Sequence, residues 1–540
     1  MHQPYYKDET RGLYMMPWVR LHGIKDYYPM AALLERFGNV KAVFNIVPSL
    51  AEQIDDYVHG DSRDILLDLT LKRPGDCTLS ERCRILEFFF KINYKRFIEP
   101  NPRYVDLLIK KGIDASPATL RRAAHEFSEQ DFVDLQVLFN LGWFHSISFD
   151  QDVNLRELRQ KQEGYTEEDK QYIISCQKEI LSRIVPLYKK LQEAGRLELS
   201  CSPRYHPILP LLCDTDIAKG PSPHLRLPER RFSHPEDAEK QIEDAIEYHH
   251  KTFGRRPSGM WPSEGSVSDK VLDLLTAARM EWVATDEDIL FMTLATCSKR
   301  SRGKQIVDRS LLYQPYRYKK GLGSLAVVFR DKNLSNLISF SYNSWDPQMA
   351  ALDLMNHFRN INASLEDQAH PGLVTIVMDG ENAWEYYEDN GRRFFETLYA
   401  CLDSDEELQT TTVSDYLKRE KPKRSIDQIY PGSWINHNFE VWIGNRPKNL
   451  AWEYIARARE ELVRYSHGPH PLFDRTRSIR LERAWRELYI AEGSDWNWWH
   501  SFDSGTSGDI SFDSLFRMHL RNLYHLLNVP LPDYLKKSIA

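Results

Sequence analysis

Short runs of apolar residues that stop abruptly at polar residues recur along this chain of 540 residues. Four of them have the length and the apolar content of buried strands: residues 41–47, 196–200, 282–284 and 373–378. Residues 238–253 and 269–278, between the runs, have the periodicity of amphipathic helices. Because parallel strands need helical crossovers, this alternation predicts βα units in an open sheet or a barrel.

Two regions depart from the alternation. Residues 51–195 have mostly helical periodicity, with a long amphipathic helix over 173–191, and we interpret them as a helical insertion between two strands. From about residue 435 the pattern is helical again, over residues 451–465, 479–492 and 512–527. The sequence therefore predicts an α/β domain over residues 1–430 and a helical domain over residues 431–540.

Charge and composition narrow the possible partners. The chain has 71 Lys and Arg against 78 Asp and Glu, a net charge of −7, and no long basic block, which argues against nucleic acid and anionic membranes. No stretch approaches the length of a membrane span, and the N-terminus has no signal-peptide core, so we expect a cytoplasmic protein if Met1 is the true start. The seven cysteines form no CxxC pair and predict no zinc site. The oligomeric state is left open.

Carboxylates stand where three of the apolar runs end. Glu198 lies in the second run, Glu264 follows a short run broken by proline, and Asp379 directly follows the last run. In parallel α/β folds the chemistry collects at such strand ends. Each residue also has a plainer interpretation, because an Asp after a strand is often a helix cap and a Trp-rich turn is often a plug between domains. Carboxylates flanked by aromatic rings are nevertheless what the cleavage of glycosidic bonds requires.

Five motifs, in order along the chain, carry a resemblance to glycoside hydrolase family 57, the retaining enzymes that act on α-glucans. The motifs are His2-Gln3-Pro4, Gly195-Arg196-Leu197-Glu198-Leu199 with Tyr205-His206-Pro207, Gly259-Met260-Trp261-Pro262-Ser263-Glu264, Met378-Asp379-Gly380-Glu381-Asn382, and Ala491-Glu492-Gly493-Ser494-Asp495-Trp496-Asn497-Trp498-Trp499. The chain looks most similar to the amylopullulanase and α-amylase branch. The resemblance implies a distorted parallel (β/α)7 barrel with the helical insertion, and a C-terminal helical domain that closes over the cleft.

The resemblance also implies roles for single residues. Glu264 matches the nucleophile and Asp379 the general acid/base. The substrate-binding or supporting residues that we assign are His2, Gln3, Glu198, His206, Trp261, Trp384, Asp495, Trp496 and Trp498. An α-glucan is the implied partner, with no metal and no organic cofactor. We expect the acid to have a raised pKa, the nucleophile to be the better solvated of the two, and their carboxyl groups to lie about 5–5.5 Å apart.

The sequence departs from the family pattern in two places. Relatives usually have a β-strand before the His-Gln-Pro motif, whereas this chain begins at Met1-His2, so we expect two unpaired strand edges and lower stability than in a longer form. Relatives more often have Ala and Gln on either side of the nucleophile, where this chain has Ser263 and Gly265. The lost side chain at Gly265 would affect substrate preference.

Three other functions are considered. A 4-α-glucanotransferase or a glucan-branching enzyme would use the same carboxyl pair. A non-catalytic glucan-binding protein could retain the fold. A metal-dependent polysaccharide deacetylase could use His2, His206 and Asp379 as ligands.

Overall fold

The computed structural model describes residues 1–60, 62–113, 116–297, 308–320, 323–367, 370–468, 475–499 and 511–539, and most of them are helical. The strands in this part of the chain are short: Lys7–Asp8 (β1), Leu13–Tyr14 (β2), Ala42–Asn45 (β3), Arg63–Asp64 (β4), Leu197–Ser200 (β5), Gly259–Met260 (β6), Trp282–Asp286 (β7), Tyr316–Tyr318 (β8), Leu325–Arg330 (β9) and Arg424–Ile426 (β10).

The α-helices are Trp18–His22 (α1), Tyr28–Glu35 (α2), Pro48–His59 (α3), Ile65–Leu71 (α4), Leu79–Phe88 (α5), Pro102–Lys111 (α6), Pro117–Glu126 (α7), Glu129–Gly142 (α8), Ser146–Gln151 (α9), Val153–Lys161 (α10), Glu167–Glu193 (α11), Leu209–Cys213 (α12), Pro235–Phe253 (α13), Asp269–Ala277 (α14), Glu287–Cys297 (α15), Lys332–Asn336 (α16), Pro347–Ser364 (α17), Arg392–Ser404 (α18), Val413–Arg419 (α19), Arg446–His467 (α20), Arg475–Ala491 (α21), Ser494–Trp499 (α22) and Phe512–Leu527 (α23). In the described part of the chain, no helix is long and apolar enough to cross a membrane.

Two sheets position the candidate site. β3 and β5 form a parallel pair, and β10, β8, β9, β7 and β6 form a five-stranded sheet in that order. An isolated parallel bridge between Cys201 and Met260 joins the end of β5 to β6, so the two sheets are neighbours. β8 runs antiparallel to β9 because the connection of six residues between them is too short for a parallel crossover. The expected all-parallel sheet is therefore corrected to a mixed one.

Three of the four strand predictions are confirmed, as β3, β5 and β7. The predicted strand at residues 373–378 is wrong. Its backbone bonds instead to a residue that precedes β8 and to the residue directly after β9: Leu373 N–H donates to Tyr313 O at 2.9 Å, and Thr375 O accepts from Asp331 N–H at 2.7 Å. Such single bonds to loop residues build no ladder.

The helical predictions are confirmed at residues 173–191, within α11, and in the C-terminal region, as α20, α21 and α23. The region 51–195 is helical apart from short connections and β4. An initial capping box, in which Thr166 and Asp169 bond each other's backbone N–H, fixes the start of α11.

An apolar cluster lies on one face of the larger sheet. Trp282 and Ala284 of β7 alternate with residues of the other face, and they pack with Trp261 against Tyr416 and Leu417 of α19. This cluster fixes α19 against the sheet. The backbone of Met1 meets the end of β3, since its amino group donates to Asn45 O at 2.8 Å and its carbonyl accepts from Val47 N–H at 3.2 Å. This pairing places His2 beside a strand end. The reduced stability expected from a missing strand stays a prediction.

Candidate active site

The ends of parallel strands bring charged side chains to one edge of the structure. Asp286 ends β7, Arg330 ends β9, and the two residues are paired in register. Glu264 follows β6 by four residues, and Asp379 follows the segment that runs beside β9. This edge is where the strand-end rule predicts the chemistry to lie.

Glu264 is held in a strained backbone conformation by a tryptophan. Its φ of 59° lies in the left-handed region, which costs about 1 kcal/mol or more for a residue with a side chain. Trp434 bonds it twice: Trp434 N–H donates to the Glu264 carbonyl at 3.0 Å, and Trp434 Nε1–H donates to Glu264 Oε2 at 2.7 Å. The carboxyl of Glu264 is therefore fixed from one side, and its other oxygen is left for a ligand. Trp434 was missed in the sequence analysis, which ended the α/β region just before it.

The electrostatic state of Glu264 differs from the expectation for a nucleophile. Burial, together with the negative charge of Asp379, raises the pKa of Glu264 to about 7, and the charge of His2 and the Trp434 hydrogen bond oppose this rise. The expectation that the nucleophile is well solvated is thus corrected, because protein surrounds its carboxyl. A pKa near 7 means that Glu264 itself is about half-protonated at neutral pH.

Asp379 shares this environment but is open to water. The surrounding protein and the nearby charge of Glu381 raise the pKa of Asp379, while the N-terminal amino group, His2 and Arg330 oppose the rise. Its side chain is exposed to solvent, so water screens these charges. The raised pKa of Asp379 agrees in direction with the role of a general acid.

Two histidines from distant parts of the chain stack in the site. The rings of His2 and His206 lie 3.7 Å apart and 19° from parallel. His206 has a φ of 60°, and its ring bonds Ser494 Oγ at 2.9 Å, while the Ser494 N–H donates to its carbonyl at 3.0 Å. The Nε2 of His2 lies 3.0 Å from Asp495 Oδ2, and the backbone N–H of His2 donates to Glu381 Oε1 at 2.6 Å. Both ends of the chain therefore contribute to the same site.

The two histidines have opposite electrostatic tendencies. Burial lowers the pKa of His2, but the Asp495 carboxylate beside it, with Glu381 and Glu264, raises that pKa overall. Burial and the positive charge of His2 hold the pKa of His206 well below its usual value. His2 therefore brings positive charge to the carboxyl pair, and His206 stays neutral.

His2, His206 and Asp495 could also hold a cation, since they place one ligand atom each within 4.8 Å of one another. The deacetylase hypothesis had named Asp379, not Asp495, as the third ligand. The present bonds of this trio already use His2 Nε2 with Asp495 and His206 Nδ1 with Ser494. The three side chains are therefore held together by these hydrogen bonds.

A buried ion pair behind Trp434 was not predicted. Arg330 Nε lies 2.9 Å from Asp286 Oδ2, and the Arg330 guanidinium stacks on the Trp434 ring at 4.7 Å. Burial raises the pKa of Asp286 to about 6. The pair supports the tryptophan that holds Glu264. The strand-end rule, applied to the apolar run 325–329, would have found Arg330.

Two of the assigned residues support the site from beneath. Both oxygens of Glu198 are occupied: Trp282 Nε1–H donates to Oε1 at 2.8 Å and Ser414 N–H donates to Oε2 at 2.9 Å. Gln3 is buried, with its side chain bonded to Tyr27 and Tyr6. Glu198 therefore joins α19 to the sheet, and Gln3 fixes the segment that carries His2.

The four tryptophans assigned to the sugar cleft have different positions. Trp384 is 3% exposed and packs on Phe395, and Trp496 is 1% exposed with its Nε1–H bonded to Ile490 O at 2.8 Å. Neither presents a face to a ligand, so their assignment to the cleft is corrected to core packing. Trp261 is also largely buried, although its ring meets that of Trp434 edge-on at 5.2 Å. Trp498 is half-buried and stays a candidate for contact with substrate.

The structure gives a reason for Gly265. Its φ of 58° lies in the left-handed region, and a Cβ at this position would come within 2.7 Å of the Trp261 ring. A side chain here would displace Trp261 from beneath Glu264. Gly265 thus makes room for Trp261, and its effect on substrate preference stays a prediction.

Solved structures with a similar fold include two branching enzymes and an α-amylase. The chain resembles a family 57 branching enzyme from Thermococcus kodakaraensis (TM-score 0.58, 17% identity, covering 97% of this chain and 88% of that chain). It also resembles a family 57 branching enzyme from Pyrococcus horikoshii (0.59, 15%, 98% and 93%) and the α-amylase AmyC from Thermotoga maritima (0.55, 15%, 98% and 91%). At these identities the likeness establishes the fold alone.

A comparison with curated protein sequences found no match. The sequence model of glycosyl hydrolase family 57, in contrast, matches residues 1–428, which is more than three quarters of the chain and includes both carboxyls. The five motifs, the fold and this match agree. The chain is a member of glycosyl hydrolase family 57.

Proposed function

We propose that this protein is a retaining glycoside hydrolase that cleaves the α-1,4 and α-1,6 bonds of α-glucans, with Glu264 as nucleophile and Asp379 as general acid/base. The observation that carries the proposal is the electrostatic interaction of this carboxyl pair. The negative charge of Asp379 contributes to the pKa of about 7 at Glu264, and the pKa of Asp379 is itself raised, so the ionisation of both groups together is disfavoured. One ionised and one protonated carboxyl is the starting state that retention requires.

In the first step, the Glu264 carboxylate attacks the anomeric carbon. The bond from that carbon to the glycosidic oxygen breaks, and Asp379 transfers its proton to the departing oxygen. In the second step, Asp379 removes a proton from water, whose oxygen attacks the same carbon and releases Glu264. The open position of Asp379 gives water access to it.

The surrounding residues would control the ionisation of the two carboxyls and bind the substrate. The hydrogen bond from Trp434 Nε1–H favours the ionised form of Glu264. The positive charge of His2 lowers the pKa of both carboxyls. It would stabilise the negative charge whether that charge resides on Glu264 or on Asp379 during the reaction. We assign substrate hydroxyl contacts to His2, His206 and Asp495, and a ring contact to Trp498.

The finer architecture is part of the proposal. We infer that the neighbouring sheets form a distorted (β/α)7-type barrel within a catalytic domain of residues 1–430, and that residues 431–540 form a helical domain that closes the cleft. The bridge between Cys201 and Met260 supports continuity of the sheets. The contact of Asp495 with His2 supports the closing role of the C-terminal helices.

The proposal is tested with wild type, Glu264→Gln, Asp379→Asn and the control Glu281→Gln, which replaces an exposed carboxyl at the start of β7. Each is incubated with maltoheptaose, soluble starch and pullulan, and the products are separated by chromatography. We expect wild type and the control to release short maltodextrins, and both site variants to lose at least about 10³-fold in kcat. Products longer than the substrate would identify a transferase instead, and an inert wild type that still binds glycogen would identify a non-catalytic protein.

Azide distinguishes the two roles. With α-glucosyl fluoride as substrate, Glu264→Ala should be reactivated by azide to give the β-glucosyl azide, because azide attacks directly in place of the nucleophile. Asp379→Ala should give the α-glucosyl azide, because azide attacks the covalent intermediate in place of water. The opposite assignment of products would reverse the roles, and an inverted sugar product from wild type would exclude retention.

A further inference from the structure

Exposed aromatic side chains cluster on two loops that leave the catalytic edge. Phe340 is 74% exposed, Trp345 47% and Tyr386 54%, and the nearby Met349 is 60% exposed. We call these four residues the aromatic platform. Large hydrophobic side chains that stay this exposed contribute little to stability, and a patch of roughly 400 Å² marks a surface that binds something.

The platform is continuous with the candidate active site. The loop after β9 contains Phe340 and Trp345, and Tyr386 follows Asp379 by seven residues. The short helices Leu337–Ser341, Tyr342–Ser344 and Asn382–Tyr386 pack against one another, which brings the two loops together. A polymer bound in the cleft could therefore extend over the platform.

Buried contacts hold the platform in place. The Trp345 ring packs edge-on against Tyr342 at 5.2 Å, and the hydroxyl of the buried Tyr342 donates to Asp353 Oδ2 at 2.7 Å. The Tyr387 hydroxyl donates to Ile338 O at 2.5 Å and joins the two loops. Preorganised aromatic faces of this kind bind a ligand at low entropic cost.

The loop that carries Phe340 and Trp345 is polar but almost uncharged, whereas Tyr386 has charged neighbours of both signs, Glu385 and Glu388 along the chain and Arg96, which donates to Tyr386 O at 2.8 Å. Between residues 337 and 349 the only charged residue is Asp346, and its carboxylate caps α17 by accepting from Gln348 N–H and Met349 N–H, both at 3.0 Å. Serine, asparagine and glutamine supply the remaining polar groups. Nucleic acid would require cations here, whereas a neutral polyhydroxylated ligand would not.

A hollow of about 560 Å³ adjoins the platform, on the other side of Leu337–Ser341. Its wall includes the neutral side chains Asn333, Asn336, Ser341, Asn360 and Ser364. The charged residues in the wall, Arg309 and Asp331, are paired with each other at 3.2 Å. The apolar side chains Leu334, Leu337 and Ile361 are also part of the wall. A hollow of this volume, lined by apolar side chains together with amides and hydroxyls, is in the size range of sites for small ligands such as a disaccharide unit.

We propose that the aromatic platform and this hollow form a second glucan-binding site, outside the catalytic pair, that holds an α-glucan chain whose end enters the cleft. The rings stack on the C–H faces of successive glucose units, and the amides of the hollow bond their hydroxyls. The inference rests on the proposed function for the class of ligand. It goes beyond that function by assigning the affinity for polymeric glucan to the platform and the hollow, whose residues take no part in bond cleavage.

The test uses Phe340→Ser with Trp345→Ala in the full chain, and Asn360→Asp as a separate probe of the hollow. Ile479→Ala, which removes an exposed hydrophobic side chain from α21, is the control. Native electrophoresis in gels that contain glycogen measures binding to polymer, and kcat/KM on maltoheptaose measures the catalytic pair. Thermal midpoints should match wild type for all variants, because these side chains are largely exposed.

We expect the loss of each ring to weaken glycogen binding by roughly five-fold, and therefore the double variant to bind about 25-fold more weakly, with kcat/KM on maltoheptaose unchanged. Asn360→Asp should also weaken binding, and the control should bind as wild type does. Unchanged retardation of the double variant, or no retardation of wild type, would overturn the inference. A change from dimer to monomer in light scattering would also overturn it and identify a second copy as the occupant. Wild type that is inactive on maltoheptaose would instead count against the proposed function, which keeps the two failures distinct.

Discussion

Replacing Glu264 with Gln should make the protein more stable at alkaline pH while abolishing activity. The carboxyl of Glu264 is half-buried next to Asp379, and its pKa is raised from 4.5 to about 7. The folded state therefore pays a free-energy cost to ionise it. Gln has the same shape, keeps an oxygen that accepts from Trp434 Nε1–H, and cannot ionise.

The size and the sign of the effect follow from linkage. A rise from 4.5 to about 7 corresponds to about 3 kcal/mol at about 1.4 kcal/mol per pKa unit. Since the folded state binds this proton more tightly than the unfolded state, the wild type loses this stability as pH rises from about 4.5 through 7, and the loss is complete above that window. The figure is an upper bound, because Asp379 can take up part of the proton.

Scanning calorimetry at pH 5 and pH 8 measures the effect. With an unfolding entropy of about 2 cal/mol/K per residue, 3 kcal/mol shifts the midpoint of a unit of about 430 residues by about 3 °C. We expect Glu264→Gln to exceed wild type by up to this amount at pH 8, and by much less at pH 5. Glu281→Gln, which replaces an exposed carboxyl, should follow wild type at both pH values. An equal difference at the two pH values, or a less stable variant at pH 8, would refute the electrostatic argument.

Three further predictions concern the surroundings of the pair. Trp434→Phe removes the hydrogen bond that favours ionised Glu264, so the acidic limb of the pH profile of kcat/KM should move to higher pH by about 1 unit or more. An unchanged pH profile would exclude this positioning role of Trp434. Glu198→Gln places an amide N–H₂ against Ser414 N–H, so the thermal midpoint should fall while KM stays constant; a raised KM at an unchanged midpoint would restore its assignment to substrate. Dialysis against a chelator should leave activity on maltoheptaose intact, and a loss reversed by zinc would instead favour a metal at the two histidines.

The sequence predicts the parts of the fold that depend on local pattern. The runs at β3, β5 and β7 and the long helices α11, α20, α21 and α23 have clear periodicity, and the structure confirms them. The segment 373–378 has the same apolar character, yet it forms no ladder because its bonding partners are loop residues. The presence of a neighbouring strand is a property of the tertiary fold, which an apolar run cannot report.

The aromatic residues show the same limit. Trp496 lies in a motif that carries the family resemblance and Trp384 stands two residues after another, which made them candidates for the sugar cleft, but both are buried in the core. The exposed rings, Phe340, Trp345 and Tyr386, lie in no motif that we used. Exposure depends on what packs over a side chain, and residue type alone does not reveal it.

The contacts that set the charge state of the site show why its two carboxyls could be located from the sequence and the residues that shift their pKa values could not. A carboxyl at a strand end can be recognised locally, but the partner of Glu264 is 170 residues away at Trp434, and the partner of His2 is 493 residues away at Asp495. In the proposed mechanism each partner shifts a pKa or fixes an orientation, and only the two carboxyls make or break bonds. If that mechanism holds, replacing one partner should change the pH at which the enzyme works, while the reaction itself stays the same.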